Sequence, residues 1–250
     1  MDYQSLINIF ILSTLAGLAT GIGGLLVMLK KLGEKTFSFS MGFSVGVMLV
    51  VAFLGLLKEA WEETGFLWAT LGFAIGAFVM FGLDVVIPHI RFGVKEKSIL
   101  EPKLLTTGML IAIGVTLHNI PEGMAVGAGY SLLPKFGLLI ALALALHNIP
   151  EGIAIALPIC RSGASKWTAF KIAFFSGLVE PVGAIIAALF LVRFHFLIPF
   201  LLAFAGGVMV FITLDEILPN ANQKEHQHST AMGIVSGSIL MFLLLGIFNI

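Results

Sequence analysis

The sequence predicts an all-α membrane protein with eight transmembrane helices, on the strength of its composition, its apolar segments and the little chain left between them. Of the 250 residues, 58% are hydrophobic and 11% are charged, and the mean hydropathy is +1.05. Such a composition is typical of membrane proteins. A helix needs about 20 mostly apolar residues to cross a bilayer. Eight segments qualify: 7–29, 37–57, 66–88, 104–130, 136–157, 169–192, 197–218 and 231–249. Residues 1–250 are therefore predicted to form a single polytopic domain.

Charge and cysteine content exclude several classes of function. The formal net charge is zero, so no basic surface indicates nucleic acid as a partner. Cys160 is the sole cysteine, which excludes an internal disulfide and a cysteine-rich metal site. The partner that remains implied is the lipid bilayer.

The positions of the Lys and Arg residues predict how the chain is oriented in the membrane. The chain begins with Asp2 rather than a basic stretch, and Lys30 and Lys31 follow the first apolar segment. This order favours an uncleaved first helix. Loops after helices 1, 3, 5 and 7 hold eleven of the fourteen Lys and Arg residues. Because Lys and Arg residues concentrate in cytoplasmic loops, both termini are expected outside. The compact chain suits a bacterial inner membrane.

Helices 1, 2 and 7 predict close packing and an inverted repeat. Helix 1 is rich in glycine, which lets helices approach closely in lipid. The run Phe43–Met48 in helix 2 aligns without a gap with Phe204–Met209 in helix 7. Since five crossings separate the two, they run in opposite directions. A 3+2+3 arrangement follows, with helices 1–3 and 6–8 as inverted copies around the helix 4/5 pair, a pattern found in transporters. Similar composition alone is the alternative explanation.

The centre of the prediction is a hexapeptide that occurs twice, at His118–Gly123 and His147–Gly152. Each copy reads His-Asn-Ile-Pro-Glu-Gly inside an otherwise apolar segment. Histidine and glutamate four residues apart share a helix face. Polar groups of this kind are costly in hydrocarbon, so they indicate a functional site. The prolines are expected to free the carbonyls of Leu117 and Leu146 toward a cavity.

The donor types predict the ligand chemistry. Two facing half-sites combine imidazole nitrogen, amide oxygen and carboxylate, which suits Zn²⁺, Fe²⁺, Co²⁺ or Mn²⁺ better than Cu⁺. Glu180, followed by a proline on helix 6, adds a third carboxylate. The set could hold two divalent ions, with Glu122 and Glu151 as bridges. The alternative is that these side chains only hydrogen-bond neighbouring helices.

These motifs resemble the ZIP family of divalent-metal transporters, and within it the bacterial ZupT-like branch. The resemblance extends over all eight helices. It rests on both hexapeptides, the lone Glu180, Asp84 to His89 ending helix 3, and the run Asp215–Pro219 ending helix 7. It implies a transporter rather than an enzyme, one that carries zinc, with iron, manganese, cobalt or cadmium as further ions and no catalytic cofactor.

The resemblance also implies roles for individual residues. The first metal position would consist of His118, Glu122, His147 and Glu151, and the second of Asn119, Glu122, Asn148, Glu151 and Glu180. Met48 is a candidate addition to the first position, with packing as the alternative. Asp84, His89, Asp215 and Glu216 would lie on the route to the site, although charges at helix ends can also simply reach toward water.

Three features depart from the family pattern. Gly55 and Lys58 stand at the end of helix 2, where the branch carries glutamate and proline, which argues against an acidic external entrance. The loop after helix 3 lacks the usual histidine-rich stretch. His226 and His228 in the last loop could collect metal, but a solvated polar loop is the favoured explanation.

The sequence thus predicts uptake of divalent metal into the cytoplasm by alternating access, the inward direction being implied by the resemblance. Two other classes stay open. One is an intramembrane zinc hydrolase, and the other is a metal-sensing or structural membrane protein. Metal preference, proton coupling and a homodimeric state are left open as well.

Overall fold

A computed structural model describes residues 2–30, 32–86, 102–221 and 225–250. These residues form eight helices long and apolar enough to cross a membrane. The helices are α1 (Tyr3–Leu29), α2 (Glu34–Thr64), α3 (Phe66–Val86), α4 (Pro102–Leu132), α5 (Pro134–Arg161), α6 (Lys166–Arg193), α7 (His195–Ala221) and α8 (Gln227–Phe248). The all-α, eight-span prediction is confirmed, and the chain is an integral membrane protein.

Local capping explains where several helices begin. The Asp2 side chain accepts a hydrogen bond from the Ser5 amide at the start of α1, and Ser165 caps α6 in the same way. Leu133 alone separates α4 from α5, and Pro134 opens α5, a position that suits proline because its missing N–H has no helical partner there. This short connection makes α4 and α5 antiparallel neighbours.

Three helices depart from regular α-helical geometry. Within α2 the hydrogen bonding widens to a π-helix over Val51–Leu57, and α7 does the same over Thr213–Ile217. These two segments lie at matching places in the helix 2 and helix 7 alignment. The α6 helix is interrupted between Gly177 and Glu180. Widened turns of this kind often lie at functional sites.

Glycines bring four helices together around the repeated hexapeptides. A Cβ atom on Gly152 of α5 would overlap the backbone carbonyl of Thr20 on α1. One on Gly123 of α4 would overlap the carbonyl of Glu180 on α6. The α1 and α6 helices also touch backbone to backbone, at Gly17 and Gly177. Because only glycine permits these approaches, α1, α4, α5 and α6 form one tightly packed set, here called the site group.

The other four helices pack in the same manner. Gly46 of α2 lies against the backbone of α8, and Gly237 of α8 lies against α2. Gly76 of α3 and Gly207 of α7 form the equivalent contact between their helices. We call α2, α3, α7 and α8 the flanking group. Among the described glycines, backbone contacts of this closeness occur within each group and not between them.

Side chains fill the space between the two groups. The largest apolar cluster takes residues from both, including Met48 and Val51 of α2 with Phe136 and Leu144 of α5. All four are 0–1% exposed. The candidate site lies inside the site group, next to this apolar boundary.

Candidate metal centre

The repeated hexapeptides lie within α4 and α5, and their polar side chains are withdrawn from the surface. The predicted donors are 0–2% exposed: His118, Asn119, Glu122, His147, Asn148, Glu151 and Glu180. Burial of so many polar groups is costly unless each finds a partner.

The histidines and glutamates pair across the two helices. His118 Nε2 lies 2.9 Å from Glu151 Oε1, and His147 Nε2 lies 3.0 Å from Glu122 Oε1. His147 Nε2 is also 3.6 Å from Glu151 Oε1, on its own helix. Because α4 and α5 are antiparallel copies of one motif, each imidazole faces the carboxylate of the other copy. The structure therefore brings the two half-sites into one cluster.

Three of these residues have the spacing that a metal ion requires. His118, Glu122 and Glu151 each offer one ligand atom, and the three atoms lie within 4.8 Å of one another. His147 joins them through its contacts with both carboxylates. Within the described ranges this is the one grouping of histidine, cysteine and acidic residues with such spacing.

The asparagines hold the centre to the helices on either side. Asn119 donates a 2.9 Å hydrogen bond to the backbone carbonyl of Ser176 on α6, and Asn148 donates one of the same length to the carbonyl of Ala16 on α1. Asn148 also donates to the Glu180 carboxylate. This contact brings the α6 carboxylate to the α5 half-site. The carbonyls of Ala16 and Ser176 were not foreseen, because a backbone acceptor leaves no signal in the sequence.

Buried donor and acceptor atoms remain unmatched at every predicted ligand. Among the described residues, no hydrogen-bond partner is present for His118 Nδ1, Asn119 Oδ1, both Glu122 oxygens, both His147 nitrogens, Asn148 Oδ1, Glu151 Oε2 and Glu180 Oε2. Glu122 and His147 approach to 3.0 Å but lack hydrogen-bond geometry. Buried polar atoms normally have partners. A cation among these oxygen and nitrogen atoms would satisfy several of them at once, so the donor set fits a divalent metal.

Both prolines of the repeated hexapeptides lie inside continuous helices. The α4 helix continues through Pro121 and the α5 helix through Pro150. Among hydrogen bonds between described residues, none engages the freed carbonyls of Leu117 or Leu146 with a side chain. The predicted role of these carbonyls stays a prediction.

A small cavity of about 20 Å³ leads from the centre toward the face where α7 ends. Its walls include His118, Glu151 and Glu216. The Glu216 carboxylate lies against Gly114, 3.2 Å from where a Cβ atom on that glycine would stand. Gly114 precedes His118 by one helical turn. The volume suffices for about one water molecule or ion.

Other residues predicted on the route lie farther out. Asp215 is exposed and Asp84 is half-buried at the end of α3. His89 lies outside the described residues. Of the residues predicted on the route, Glu216 is the one that lines the cavity described above.

The remaining candidate residues are Met48 and the two histidines of the last loop. Met48 is fully buried in the apolar cluster, and its sulfur accepts a 3.4 Å hydrogen bond from the Thr213 hydroxyl. His226 precedes the first residue of α8, and His228 is exposed in its first turn. Neither belongs to the metal-spaced grouping of the described residues.

Comparison with known proteins identifies the family of this chain. A family model described as "ZIP Zinc transporter" matches residues 94–245. A zinc transporter ZupT of Corynebacterium efficiens is 38% identical, with 99% of this chain and 100% of the relative covered. Zinc transporters ZupT of Chlorobaculum parvum and Akkermansia muciniphila are 38% and 39% identical, each with 98% of this chain and 99% of the relative covered. The chain therefore belongs to the ZIP family of zinc transporters.

Proposed function

We propose that this protein carries Zn²⁺ across a bacterial plasma membrane into the cytoplasm, with Fe²⁺, Mn²⁺, Co²⁺ and Cd²⁺ as further substrates. The observation that carries the proposal is the buried pair of crossed contacts, His118 with Glu151 and His147 with Glu122. Imidazole and carboxylate are the donors that zinc takes in proteins without thiolates. The names of the similar bacterial proteins support zinc as the cargo.

The centre is binuclear in this proposal. His118, His147, Glu122 and Glu151 hold one ion, and Asn119, Asn148, Glu180 and the same two glutamates hold the other. The unmatched oxygens of Asn119, Asn148 and Glu180 support the second position. Shared carboxylates let an ion exchange ligands stepwise, which transport requires and a closed tetrahedral cage would prevent.

Alternating access follows from the division into two helix groups. In this proposal the helices of each group move together, because the closest backbone contacts at glycine occur within the groups and not between them, whereas apolar side chains fill the space between the groups. The contacts also recur in exchanged form: α1 packs on α5 as α6 packs on α4, and α2 packs on α8 as α7 packs on α3. This exchange supports the 3+2+3 inverted repeat. An inverted repeat supplies two equivalent arrangements, one open to each side.

The cavity beside Glu216 is the cytoplasmic half of the route in this proposal. It lies on the face where the loops rich in Lys and Arg join the helices, which the positive-inside rule assigns to the cytoplasm. Both termini then lie outside. On the opposite side, Met48 and Phe136 belong to the apolar cluster between the two helix groups, and in this proposal that cluster closes access to the centre.

Transport explains the site better than the two other classes of function. The family comprises transporters rather than enzymes. A catalytic zinc keeps three protein ligands and one open position, whereas here two matching half-sites face each other. A sensor or structural protein would bind metal without moving it, and only a flux measurement separates that case.

The test is uptake of radioactive Zn²⁺ into liposomes that contain the purified protein, with the pH gradient imposed in either direction. We expect uptake by the wild type and none above background by Glu122→Ala/Glu151→Ala. Dependence on the gradient would add proton coupling. Glu225→Ala is the matched control, since Glu225 is an exposed carboxylate outside the centre.

Folding and binding have to be checked alongside flux. Each variant should elute as the wild type does in size-exclusion chromatography. Wild-type protein that binds Zn²⁺ stoichiometrically yet moves none would support the sensor or structural class. Equal uptake by the double variant would contradict the assignment of the site.

A further inference from the structure

Thr20 on α1 has a buried hydroxyl that takes part in none of the contacts described above. The residue is 0% exposed, and its Oγ1 has no hydrogen-bond partner among the described residues. A threonine in a helix usually donates to the carbonyl four residues earlier. Here that carbonyl belongs to Ala16, and it accepts a hydrogen bond from the side-chain amide of Asn148 instead. The hydroxyl of Thr20 therefore remains available to bind another group.

Packing around the repeated hexapeptides makes Thr20 the counterpart of Glu180. Gly152 lies on the carbonyl of Thr20, and Gly123 lies on the carbonyl of Glu180. Gly123 and Gly152 hold the same position in the repeated hexapeptide. Thr20 thus stands on α1 where Glu180 stands on α6.

The two asparagine contacts repeat this correspondence. Asn148 binds the carbonyl of Ala16, four residues before Thr20, and Asn119 binds the carbonyl of Ser176, four residues before Glu180. The same offset of 160 residues relates both pairs.

Both side chains also face the same helix crossing. Thr20 Oγ1 lies 2.9 Å from the place of a Cβ atom on Gly177, and Glu180 Cβ lies 3.5 Å from the place of one on Gly17. Each residue therefore lies beside the glycine of the partner helix where α1 meets α6. Glu180 reaches Asn148 from this crossing. The same correspondence pairs Thr20 with Asn119, and both Thr20 Oγ1 and Asn119 Oδ1 lack a hydrogen-bond partner among the described residues.

We propose that the Thr20 hydroxyl is a neutral oxygen donor to the second metal position, opposite Glu180. This inference rests on the proposed binuclear site. The two counterparts differ in charge, since α1 offers a neutral hydroxyl where α6 offers a carboxylate, and this difference affects transport. Three carboxylates would face the two divalent ions: Glu122, Glu151 and Glu180. Because Thr20 is a neutral donor, the positive charge of the two ions is incompletely balanced. Affinity for hard cations rises with the number of charged ligands, so a hydroxyl at this place keeps the second ion exchangeable.

The test compares Thr20→Val, which has nearly the same shape without the hydroxyl, with Thr20→Ser, which retains it. Zn²⁺ binding to purified protein in detergent is followed by titration calorimetry, so the readout is stoichiometry and affinity rather than flux. We expect Thr20→Val to keep the first ion and to bind the second at least about 10-fold more weakly, because loss of even an outer partner weakens a metal site about 10–100-fold. Thr20→Ser should bind both ions as the wild type does.

Thr14→Val is the matched control. Thr14 lies on the same helix and its hydroxyl is likewise buried without a partner among the described residues, but its counterpart on α6 is Phe174 rather than a carboxylate. It should leave both binding steps unchanged. If Thr20→Val does not elute as a folded protein, Thr20→Ala is titrated in its place with the same expectation.

The outcomes separate this inference from the proposed function. Wild-type protein that binds one ion or none overturns the binuclear site and the role of Thr20 together. Two ions bound by wild type and valine variant with equal affinity overturn the role of Thr20 alone. Equal weakening by Thr14→Val, or a loss that Thr20→Ser shares, would also contradict it, because removal of the Thr20 hydroxyl would then not be the cause.

Discussion

Each polar side chain of the centre is oriented by a contact from a second helix. The imidazoles of α4 and α5 meet the carboxylates of the opposite copy, and the asparagines reach the carbonyls of Ala16 on α1 and Ser176 on α6. Such partners orient ligands and raise metal affinity. The centre therefore depends on four helices, although both hexapeptides lie on two.

At the scale of single residues, His147→Gln should remove one binding step and leave the other. The histidines belong to the first proposed position, and glutamine keeps the side chain polar but offers no imidazole nitrogen. Loss of an outer partner alone weakens a metal site about 10–100-fold, so loss of a ligand should weaken the first step at least ~100-fold. Calorimetric titration with Zn²⁺ measures both steps. A first step of unchanged affinity would argue that His147 is not a ligand.

Glu216→Gln should slow uptake without abolishing binding. The carboxylate lies in the cavity wall, one helical turn of α4 away from His118. A charged group in a narrow cavity raises the local concentration of cations by about 10-fold or more, so initial uptake should fall by about 10-fold. Vesicle uptake and calorimetry are measured together, with Glu225→Gln as control, since Glu225 is an exposed carboxylate outside the centre. Equal losses in both assays would show that Glu216 belongs to the centre itself.

The residues also show which parts of the site were accessible from sequence. The repeated hexapeptides and Glu180 were noticed because polar groups in apolar segments stand out. The crossed pairing was not predicted, because the i, i+4 spacing describes one helix and says nothing of how α4 is rotated against α5. Thr20 was missed for a related reason: a threonine is ordinary in a membrane helix, and only the contacts of Gly123 and Gly152 reveal its counterpart. The ligand set as a whole stays a prediction.

At the scale of the elements, the spans were predictable and their irregularities were not. Long apolar runs predicted all eight helices, although α2 extends beyond residue 57 to Thr64 through its π-helical segment. A π-helix differs from an α-helix in hydrogen bonding, which hydropathy does not report. Glu216 lies in the π-helical segment of α7 and Gly55 lies in that of α2. The two otherwise equivalent segments therefore present different chemistry toward the two sides of the membrane.

Glycine contacts predict which small residues the helices need. Gly76→Ala should destabilise the fold, because its Cβ would overlap the Phe204 carbonyl on α7. Overpacking of this kind costs about 1–3 kcal/mol. Gly82→Ala is the matched control on the same helix, since within the described part of the chain no atom of another helix lies within 4 Å of its Cβ position. Thermal unfolding in detergent should separate the two variants, and equal midpoints would contradict the packing argument.

At the scale of the whole molecule, polar contacts join the two groups at opposite faces. Arg161 of the site group pairs with Glu34 of the flanking group. At the other face, Lys135 of α5 donates 3.1 Å hydrogen bonds to the carbonyls of Phe248 and Asn249 at the end of α8. Partly exposed contacts of this kind contribute little stability, about 0–1 kcal/mol. They can therefore break and re-form when one group moves against the other, as alternating access requires.

Cross-linking between the groups should stop transport, whereas cross-linking within one group should not. In a Cys160→Ser background, Glu34→Cys/Arg161→Cys places two thiols across the boundary, and a short cleavable cross-linker would hold the groups in one relative position. Met28→Cys/Lys166→Cys is the matched control. Lys166 of α6 donates a hydrogen bond to the Met28 carbonyl of α1, within the site group and on the same face of the protein as Glu34 and Arg161.

Uptake of Zn²⁺ into vesicles, measured before cross-linking, after it and after cleavage, gives the result. We expect the first pair to lose uptake and regain it on cleavage, and the control pair to transport throughout. If the joined Glu34–Arg161 pair transports at the uncross-linked rate, the two groups do not move against each other at this face. Metal would then have to pass by rearrangement of side chains along the cavity, and the inverted repeat would describe the ancestry of the fold rather than its mechanism.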